Sequence, residues 1–166
     1  MPILDENTIE FISRSPEQTR RVGIRMGSLL KTGDVVCLSG QLGAGKTTMV
    51  QGIAQGWGSP DQVTSPTFVI VNNYQRPDGS VLSHLDAYRL TDAAEAFDLD
   101  IDYHIEMGPL IIEWPENILP AIPSQNIWVK MEFMGELQRN LLITTNDSKF
   151  FNMIKRLRTI LFSGVA

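Results

Sequence analysis

The sequence contains one cysteine and two histidines in 166 residues, and this scarcity excludes several kinds of site. Cys37 alone cannot form an intrachain disulfide or a cysteine-rich zinc site. His84 and His104 are too few for a histidine-rich metal centre. No apolar run is long enough for a membrane span, and the first ten residues include three acids and no basic residue, unlike a signal or transit peptide. We therefore expect a cytoplasmic protein without membrane association.

Basic residues are also scarce in most of the chain. The net charge is −5, all 19 acidic residues lie before Ser148, and the tail from Lys149 carries basic residues only. Such an acidic balance argues against a broad nucleic-acid-binding surface, so RNA would be reached through a partner or through the tail. The tail has the apolar spacing of an amphipathic helix, set by Phe150, Ile154, Leu157 and Leu161. We expect one domain over 1–148, with 149–166 as a helix packed on it.

Hydrophobic periodicity and turn signals predict alternating strands and helices. The predicted strands are 8–12, 34–39, 67–74, 81–85, 110–113, 127–133 and 141–145, and the predicted helices run from Pro16 to about Lys31 and over 46–57. The acidic stretch 92–106 is expected to be a short exposed helix followed by a loop. The nearly unbroken apolar run at 34–39 and the apolar run at 110–112 are typical of buried parallel strands, so Cys37 is expected to be an inert buried thiol. Strands 67–74 and 81–85 are expected to pair as neighbours, and 127–133 and 141–145 as an antiparallel pair.

The strongest motif is Gly40–Thr47 (GQLGAGKT), which fits G-x-x-x-x-G-K-[ST] at every fixed position. It lies between a predicted strand and a predicted helix, as a phosphate-binding loop requires. Consecutive backbone N–H groups and the positive end of the helix bind phosphate oxygens, and glycines allow the close approach. Lys46 would place its charge on the β- and γ-phosphates, and Thr47 would offer a hydroxyl to Mg²⁺. The loop predicts a nucleoside triphosphate without specifying the base.

A phosphoryl-transfer site also needs a carboxylate for the metal and a group that orients the attacking water. Asp86 and Glu113 both stand where a buried strand ends, at the edge of a parallel sheet that faces the ligand crevice. We expect one to act on Mg²⁺ or its waters and the other on the attacking water; the residues do not assign the roles. Trp114 either stacks near the nucleotide or fills the core. His84, on the same strand face as Asp86, is more typical of a packed or hydrogen-bonded histidine than of a group behind the metal ligands.

Four segments together carry a family resemblance: GQLGAGKTT at 40–48, TSPTF at 64–68, HLDAYRL at 84–90 and IIEWPE at 111–116. In this order and spacing they resemble the TsaE (also called YjeE) family of bacterial ATPases, over about residues 8–145. The resemblance implies an α/β P-loop NTPase fold, with a mostly parallel central sheet flanked by helices and with antiparallel additions. It also implies slow, Mg²⁺-dependent ATP hydrolysis. The activity would serve the threonylcarbamoyl modification of adenosine 37 in tRNAs that read codons beginning with A. The protein would be a switch or reset factor for the TsaB and TsaD proteins, not the transferase.

The resemblance also implies site residues, position by position. The groups that carry the chemistry would be Lys46, Asp86, Glu113 and Thr67, the last as a switch threonine facing the γ-phosphate. The residues around the nucleotide would be Gly43, Ala44, Gly45, Lys46, Thr47 and Thr48 at the phosphates, Pro16 and Thr19 at the adenine, and Trp114 and Arg139 beside them. Mg²⁺ would be held by Thr47, Glu113 and Asp86. Two positions depart from the family pattern: Gln41 stands where an aspartate is frequent, and Glu136 stands where an arginine is common.

Other functions share the phosphate loop. A small-molecule kinase usually needs an arginine-bearing lid, yet only Arg76, Arg89 and Lys130 are basic between the loop and Arg139. A GTPase would need an N-K-x-D segment, which the sequence lacks. A nucleotide-gated interaction module with negligible hydrolysis would use ATP to order residues 62–68 and 92–106. Stimulation of turnover by partners would distinguish the ATPase from this module.

Overall fold

The fold is taken from a computed structural model that describes residues 5–64 and 71–163. The strands are β1 (Thr8–Ser13), β2 (Val35–Gly40), β3 (Val71–Gln75), β4 (Val81–Asp86), β5 (Leu110–Glu113), β6 (Ile127–Phe133) and β7 (Arg139–Thr144). They form one sheet in the order β1-β7-β6-β2-β5-β4-β3. Strands β6, β2, β5 and β4 are parallel, and β7, β1 and β3 are added antiparallel at the two sides. The predicted α/β class, with a parallel centre and antiparallel additions, is confirmed.

Helices cover both faces of this sheet. On one face lie α1 (Pro16–Gly27), α2 (Lys46–Trp57) and α5 (Phe151–Phe162); on the other lie α3 (Ala93–Phe97), α4 (Ile101–Met107) and a 3₁₀ segment, Pro115–Ala121. Strand β2 contributes to both cores, because Val36 and Leu38 point to the first and Val35 and Cys37 to the second. Burial on both faces explains why its sequence is a continuous apolar run.

Helices α1 and α2 pack so closely that their backbones touch. A Cβ on Gly27 would overlap the carbonyl oxygen of Ile53, and a Cβ on Gly52 would overlap the carbonyl oxygen of Arg20. Gly23 and Gly56 occupy the equivalent positions one helical turn away. This contact fixes the direction of α2, whose N-terminus follows the phosphate loop directly.

Helix α1 starts at Pro16 as predicted but ends at Gly27, so the predicted end near Lys31 is wrong. The Ser28 hydroxyl donates to the carbonyl of Arg25 at 2.7 Å and so satisfies a carbonyl at the end of the helix. The next two residues, Leu29 and Leu30, form tight turns back to the last helical carbonyls and bury their side chains in the core. Their helix-like spacing therefore reflects burial within a turn.

The expected loop after α3 is also wrong, because a second helix, α4, follows. The Asp100 carboxylate accepts a hydrogen bond from the Tyr103 amide and caps this helix, while Ile101 is buried in the second core. Because this stretch contains many acidic residues, the sequence did not show which aspartate caps a helix. Strand β3 is described only from Val71, so the first part of the predicted strand 67–74 lies outside the described residues. The expected neighbours do pair: β3 with β4 and β6 with β7, both antiparallel.

The tail helix α5 packs on the same sheet face as α1 and α2. Phe150, Ile154 and Leu157 are buried in the first core. The Arg158 guanidinium donates to the carbonyls of Glu6 and Thr8, both at 2.8 Å, and joins the tail to the first strand. The domain boundary at residue 148 stays a prediction. Across the residues given above, no helix has the length and apolarity of a membrane-spanning segment.

Candidate functional site

The phosphate loop connects β2 to α2 and has the backbone shape that its glycines allow. Gly43 (φ +81°) and Gly45 (φ +99°) adopt left-handed conformations that a side chain would disfavour. A Cβ on Gly40 would lie 2.6 Å from the carbonyl oxygen of Met131. Helix α2 begins at Lys46, and the first amides of a helix have no partner within it. The loop therefore presents backbone N–H donors around a space that side chains at the glycine positions would occupy.

The Lys46 ammonium lies at this loop. Its Nζ donates to the carbonyl oxygens of Gly40 at 2.6 Å and Gln41 at 2.9 Å. It also lies 4.3 Å from the centroid of the Trp114 ring, a cation–π distance. The side chain is buried, so the charge is held beside the loop by fixed partners. Trp114 was expected either to stack near the nucleotide or to fill the core. It lies partly buried against the second core, and its ring faces the Lys46 ammonium.

Asp86 and Glu113 lie side by side at the ends of β4 and β5, where the two residues are register partners. The Ala87 amide donates to the carbonyl of Glu113 at 3.0 Å and holds the two strand ends together. Burial raises the pKa of Asp86, with Glu113 acting in the same direction and Lys46 opposing it. Burial lowers the pKa of Lys46, and the nearby carboxylates, with Glu113 foremost, oppose that shift. The structure thus brings two carboxylates and one ammonium together, as the strand ends predicted.

Glu113 also has a buried partner behind the site. His84 Nε2 lies 2.6 Å from Glu113 Oε2, and His84 Nδ1 lies 3.1 Å from the Tyr74 hydroxyl. The expected hydrogen-bonded histidine is present, and its partner is a candidate site residue. Sequence reasoning missed Tyr74 altogether. The available signal was the pairing of β3 with β4, because Tyr74 lies diagonally across from His84 in that register.

A cavity of about 120 Å³ lies on one side of the loop. Its lining brings together most of the residues predicted around the nucleotide: Pro16, Thr19, Gly43, Ala44, Gly45, Thr48 and Arg139, with Leu137 in addition. Arg139 donates to the carbonyl oxygens of Ala44 at 3.2 Å and Gly43 at 3.4 Å. Its guanidinium also lies over the Phe133 ring, 4.3 Å from the centroid. Arg139 therefore ties the β6–β7 hairpin to the phosphate loop, a contact that the sequence did not predict.

A kinase lid would require basic residues, and two of the candidates, Arg76 and Lys130, contact other groups. Arg76 forms an ion pair with Asp78 at 2.8 Å and stacks on the Trp57 ring. Lys130 pairs with Glu132 at 2.9 Å. These contacts hold the two side chains to neighbouring surface groups, and they add nothing in favour of an arginine-bearing lid.

The oxygen groups at the strand ends fit a magnesium ion that is bound together with phosphates. Mg²⁺ prefers one or two carboxylates, phosphate oxygens and water to a cage made only of protein. Asp86 and Glu113 offer carboxylates and Thr47 offers a hydroxyl, and all three lie at or beside the loop. Within residues 5–64 and 71–163, no cluster of three or more His, Cys, Asp or Glu side chains could hold a metal ion. Thr67 lies outside the described residues, and its role stays a prediction.

Comparisons with known proteins agree on one family. A family model described as "Threonylcarbamoyl adenosine biosynthesis protein TsaE" matches residues 13–141. Two relatives are named tRNA threonylcarbamoyladenosine biosynthesis protein TsaE: one from a Nostoc species, 36% identical over 91% of this chain and 97% of its own, and one from Bacillus subtilis, 34% identical over 82% and 85%. The crystal structure of YdiB from Bacillus subtilis superposes with a TM-score of 0.77 at 27% identity, covering 92% of this chain and 95% of that one.

Proposed function

Because the chain belongs to the TsaE family, we propose that it binds ATP with Mg²⁺ and hydrolyses it slowly in the biosynthesis of threonylcarbamoyladenosine in tRNA. The observation that carries the proposal is the convergence of Lys46, Asp86 and Glu113 at an intact phosphate loop. This arrangement supplies the positive charge, the metal-binding carboxylates and the backbone donors that phosphoryl transfer requires.

Each group has a role that follows from its chemistry. The loop amides bind phosphate oxygens, and Lys46 neutralises charge that develops on the β- and γ-phosphates. Bound Mg²⁺ would supply further positive charge to the phosphate oxygens. Thr47 and one of Asp86 and Glu113 would hold the metal, and the other carboxylate would orient the attacking water. The cavity lined by Pro16, Thr19 and Arg139 would take the nucleoside side of ATP.

The proposed partners are the TsaB and TsaD proteins, with ATP turnover serving as the switch or reset step of their complex. The acidic net charge of the chain supports contact with tRNA through these partners and not through a basic surface of its own. The cytoplasm is the proposed location.

The direct test is phosphate release from ATP by the purified chain, alone and with TsaB and TsaD. Lys46→Ala should lower Mg²⁺-dependent turnover by roughly 100-fold because it removes a fixed charge from the transferred group. Lys155→Ala, an exposed lysine of α5, is the matched control and should turn over as the wild type does. Partners should raise the wild-type rate. Equal rates for Lys46→Ala and wild type would contradict the proposal, and transfer of phosphate to a small molecule would favour a kinase.

The same assay separates the two carboxylates. Loss of a metal ligand raises the Mg²⁺ concentration that gives half-maximal rate, whereas loss of the water-orienting group lowers kcat even at saturating Mg²⁺. Asp86→Asn and Glu113→Gln should each show one of these patterns while nucleotide affinity changes little. Equal losses of binding and hydrolysis in either variant would instead indicate a role in folding.

A further inference from the structure

A line of buried hydrogen bonds runs from Glu113 away from the phosphate loop. It passes from the carboxylate to His84 at 2.6 Å and from His84 to the Tyr74 hydroxyl at 3.1 Å. The Tyr74 hydroxyl then donates to the backbone carbonyl of Thr64 at 3.2 Å. The exposed fractions are 0% for His84, 3% for Glu113 and 4% for Tyr74. Three polar side chains that are buried from solvent are thus hydrogen-bonded to one another and to the backbone.

Packing alone does not require these polar atoms. Tyr74 belongs to the first apolar core, where a phenylalanine ring would fill nearly the same space without the cost of burying a hydroxyl. Burial raises the pKa of the Tyr74 hydroxyl, so it stays a neutral hydrogen-bonding group. Its position next to His84 is explained by the hydrogen bonds that it makes.

The line of bonds fixes the orientation of a carboxylate. A carboxylate is planar, so a short bond at Oε2 of Glu113 also fixes the direction of Oε1. His84 is in turn held at its other ring nitrogen by Tyr74, and Tyr74 is held by the Thr64 carbonyl. Groups that lie behind a metal-binding or catalytic carboxylate commonly orient it in this way.

Resting on the proposed function, we propose that His84 and Tyr74 are positioning residues that orient the Glu113 carboxylate for ATP hydrolysis. Neither residue touches the nucleotide in this proposal. Each acts through the next hydrogen bond, and the bond to Glu113 is the one that matters for the rate.

Two substitutions of His84 separate positioning from packing. The amide nitrogen of glutamine lies near the place of Nε2 and can still donate to Glu113, whereas that of asparagine lies near the place of Nδ1 and cannot reach it. His84→Asn should lower kcat by about 10-fold or more, and His84→Gln should keep most of the wild-type rate, with KM for ATP unchanged in both. If kcat falls equally in the two variants, and in proportion to their loss of thermal stability, the proposal is overturned.

Tyr74→Phe tests the far end of the line while keeping the ring in the core. It should lower kcat several-fold in the wild-type background and have no further effect on Glu113→Gln, because both changes then act through one carboxylate. Tyr103→Phe, an exposed tyrosine of α4, is the matched control and should leave the rate unchanged. A Tyr74→Phe rate equal to wild type, or a full additional loss in the double variant, would overturn the proposal.

A spectroscopic measurement keeps this inference independent of the proposed activity. The chain has two histidines, so His104→Gln assigns the ring nitrogen signals of His84 in long-range ¹H–¹⁵N spectra. These signals should shift in both Tyr74→Phe and Glu113→Gln. Such shifts in a protein without ATPase activity would support the hydrogen-bond line and contradict only the proposed hydrolysis. Unchanged His84 signals in both variants would contradict the line itself, whatever the activity.

Discussion

Glu113 and Asp86 show how neighbouring residues of one type acquire different surroundings. Glu113 is buried and bonded to His84, whereas Asp86 is half-buried and accepts a hydrogen bond from the Tyr88 amide at 2.9 Å. Glu113 is held by a side chain of the neighbouring strand β4, and Asp86 is held by a backbone amide two residues further along the chain. The two carboxylates therefore enter the proposed reaction with different freedom to move, and this difference supports distinct roles for them.

Cys37 gives a prediction at the same scale. Burial raises the pKa of its thiol from 9.0 to about 12, so the native protein should react with a thiol reagent such as iodoacetamide only through unfolding. The unfolded chain loses the thiol proton near pH 9 while the folded chain keeps it, so this group lowers the free energy of unfolding as the pH rises from 9 towards 12. Alkylation should be absent at pH 8.5 in buffer and complete in denaturant. Rapid labelling of the native protein would contradict the burial of this strand.

Residues tied to a local motif were predictable from the sequence. The phosphate loop, Lys46 and the strand-end position of Glu113 each follow from a short stretch of residues. Tyr74 and the loop contacts of Arg139 were not predictable, because they depend on which strands become neighbours and in which register. A single sequence contains no local signal for such pairings.

At the scale of elements, the contact between α1 and α2 is the feature most open to test. Gly52→Ala would push a methyl group into the carbonyl of Arg20, and either the helices separate or the backbone distorts. The substitution should lower the free energy of unfolding by about 2 kcal/mol or more, although alanine favours helices more than glycine does. The measurement is the denaturant midpoint at constant slope.

Gly135→Ala is the control for this contact. No atom beyond its chain neighbours lies within 4 Å of the position that its Cβ would take, so the free energy of unfolding should change by no more than about 0.5 kcal/mol. Equal midpoints for Gly52→Ala and wild type would show that the helices are not held at backbone contact.

Element ends were harder to predict than element types. The start of α1 was visible because Ser15 and Pro16 form a capping signal that is local. Its end was not, since Leu29 and Leu30 continue the apolar spacing through the turn that follows Ser28. Helix α4 was missed because its capping residue, Asp100, is one acid among many. Local hydrogen bonds decided each of these ends, and hydrophobic periodicity does not report them.

At the scale of the whole molecule, the parallel centre of the sheet explains why the site forms. Strands β2, β4 and β5 end at one edge, and they bring there the phosphate loop, Asp86 and Glu113 from distant parts of the chain. The sequence predicted this convergence from two buried strands that end in carboxylates. It did not predict that β7 would lie between β6 and β1, because that order depends on long-range pairing.

The central claim is that ATP turnover at this loop serves the threonylcarbamoyl modification of tRNA. The most direct measurement is mass spectrometry of tRNA nucleosides from cells depleted of the protein and complemented with wild type, Lys46→Ala or Lys155→Ala. Threonylcarbamoyladenosine should fall on depletion and return with wild type and Lys155→Ala but not with Lys46→Ala. An unchanged level on depletion, or full recovery with Lys46→Ala, would contradict the claim.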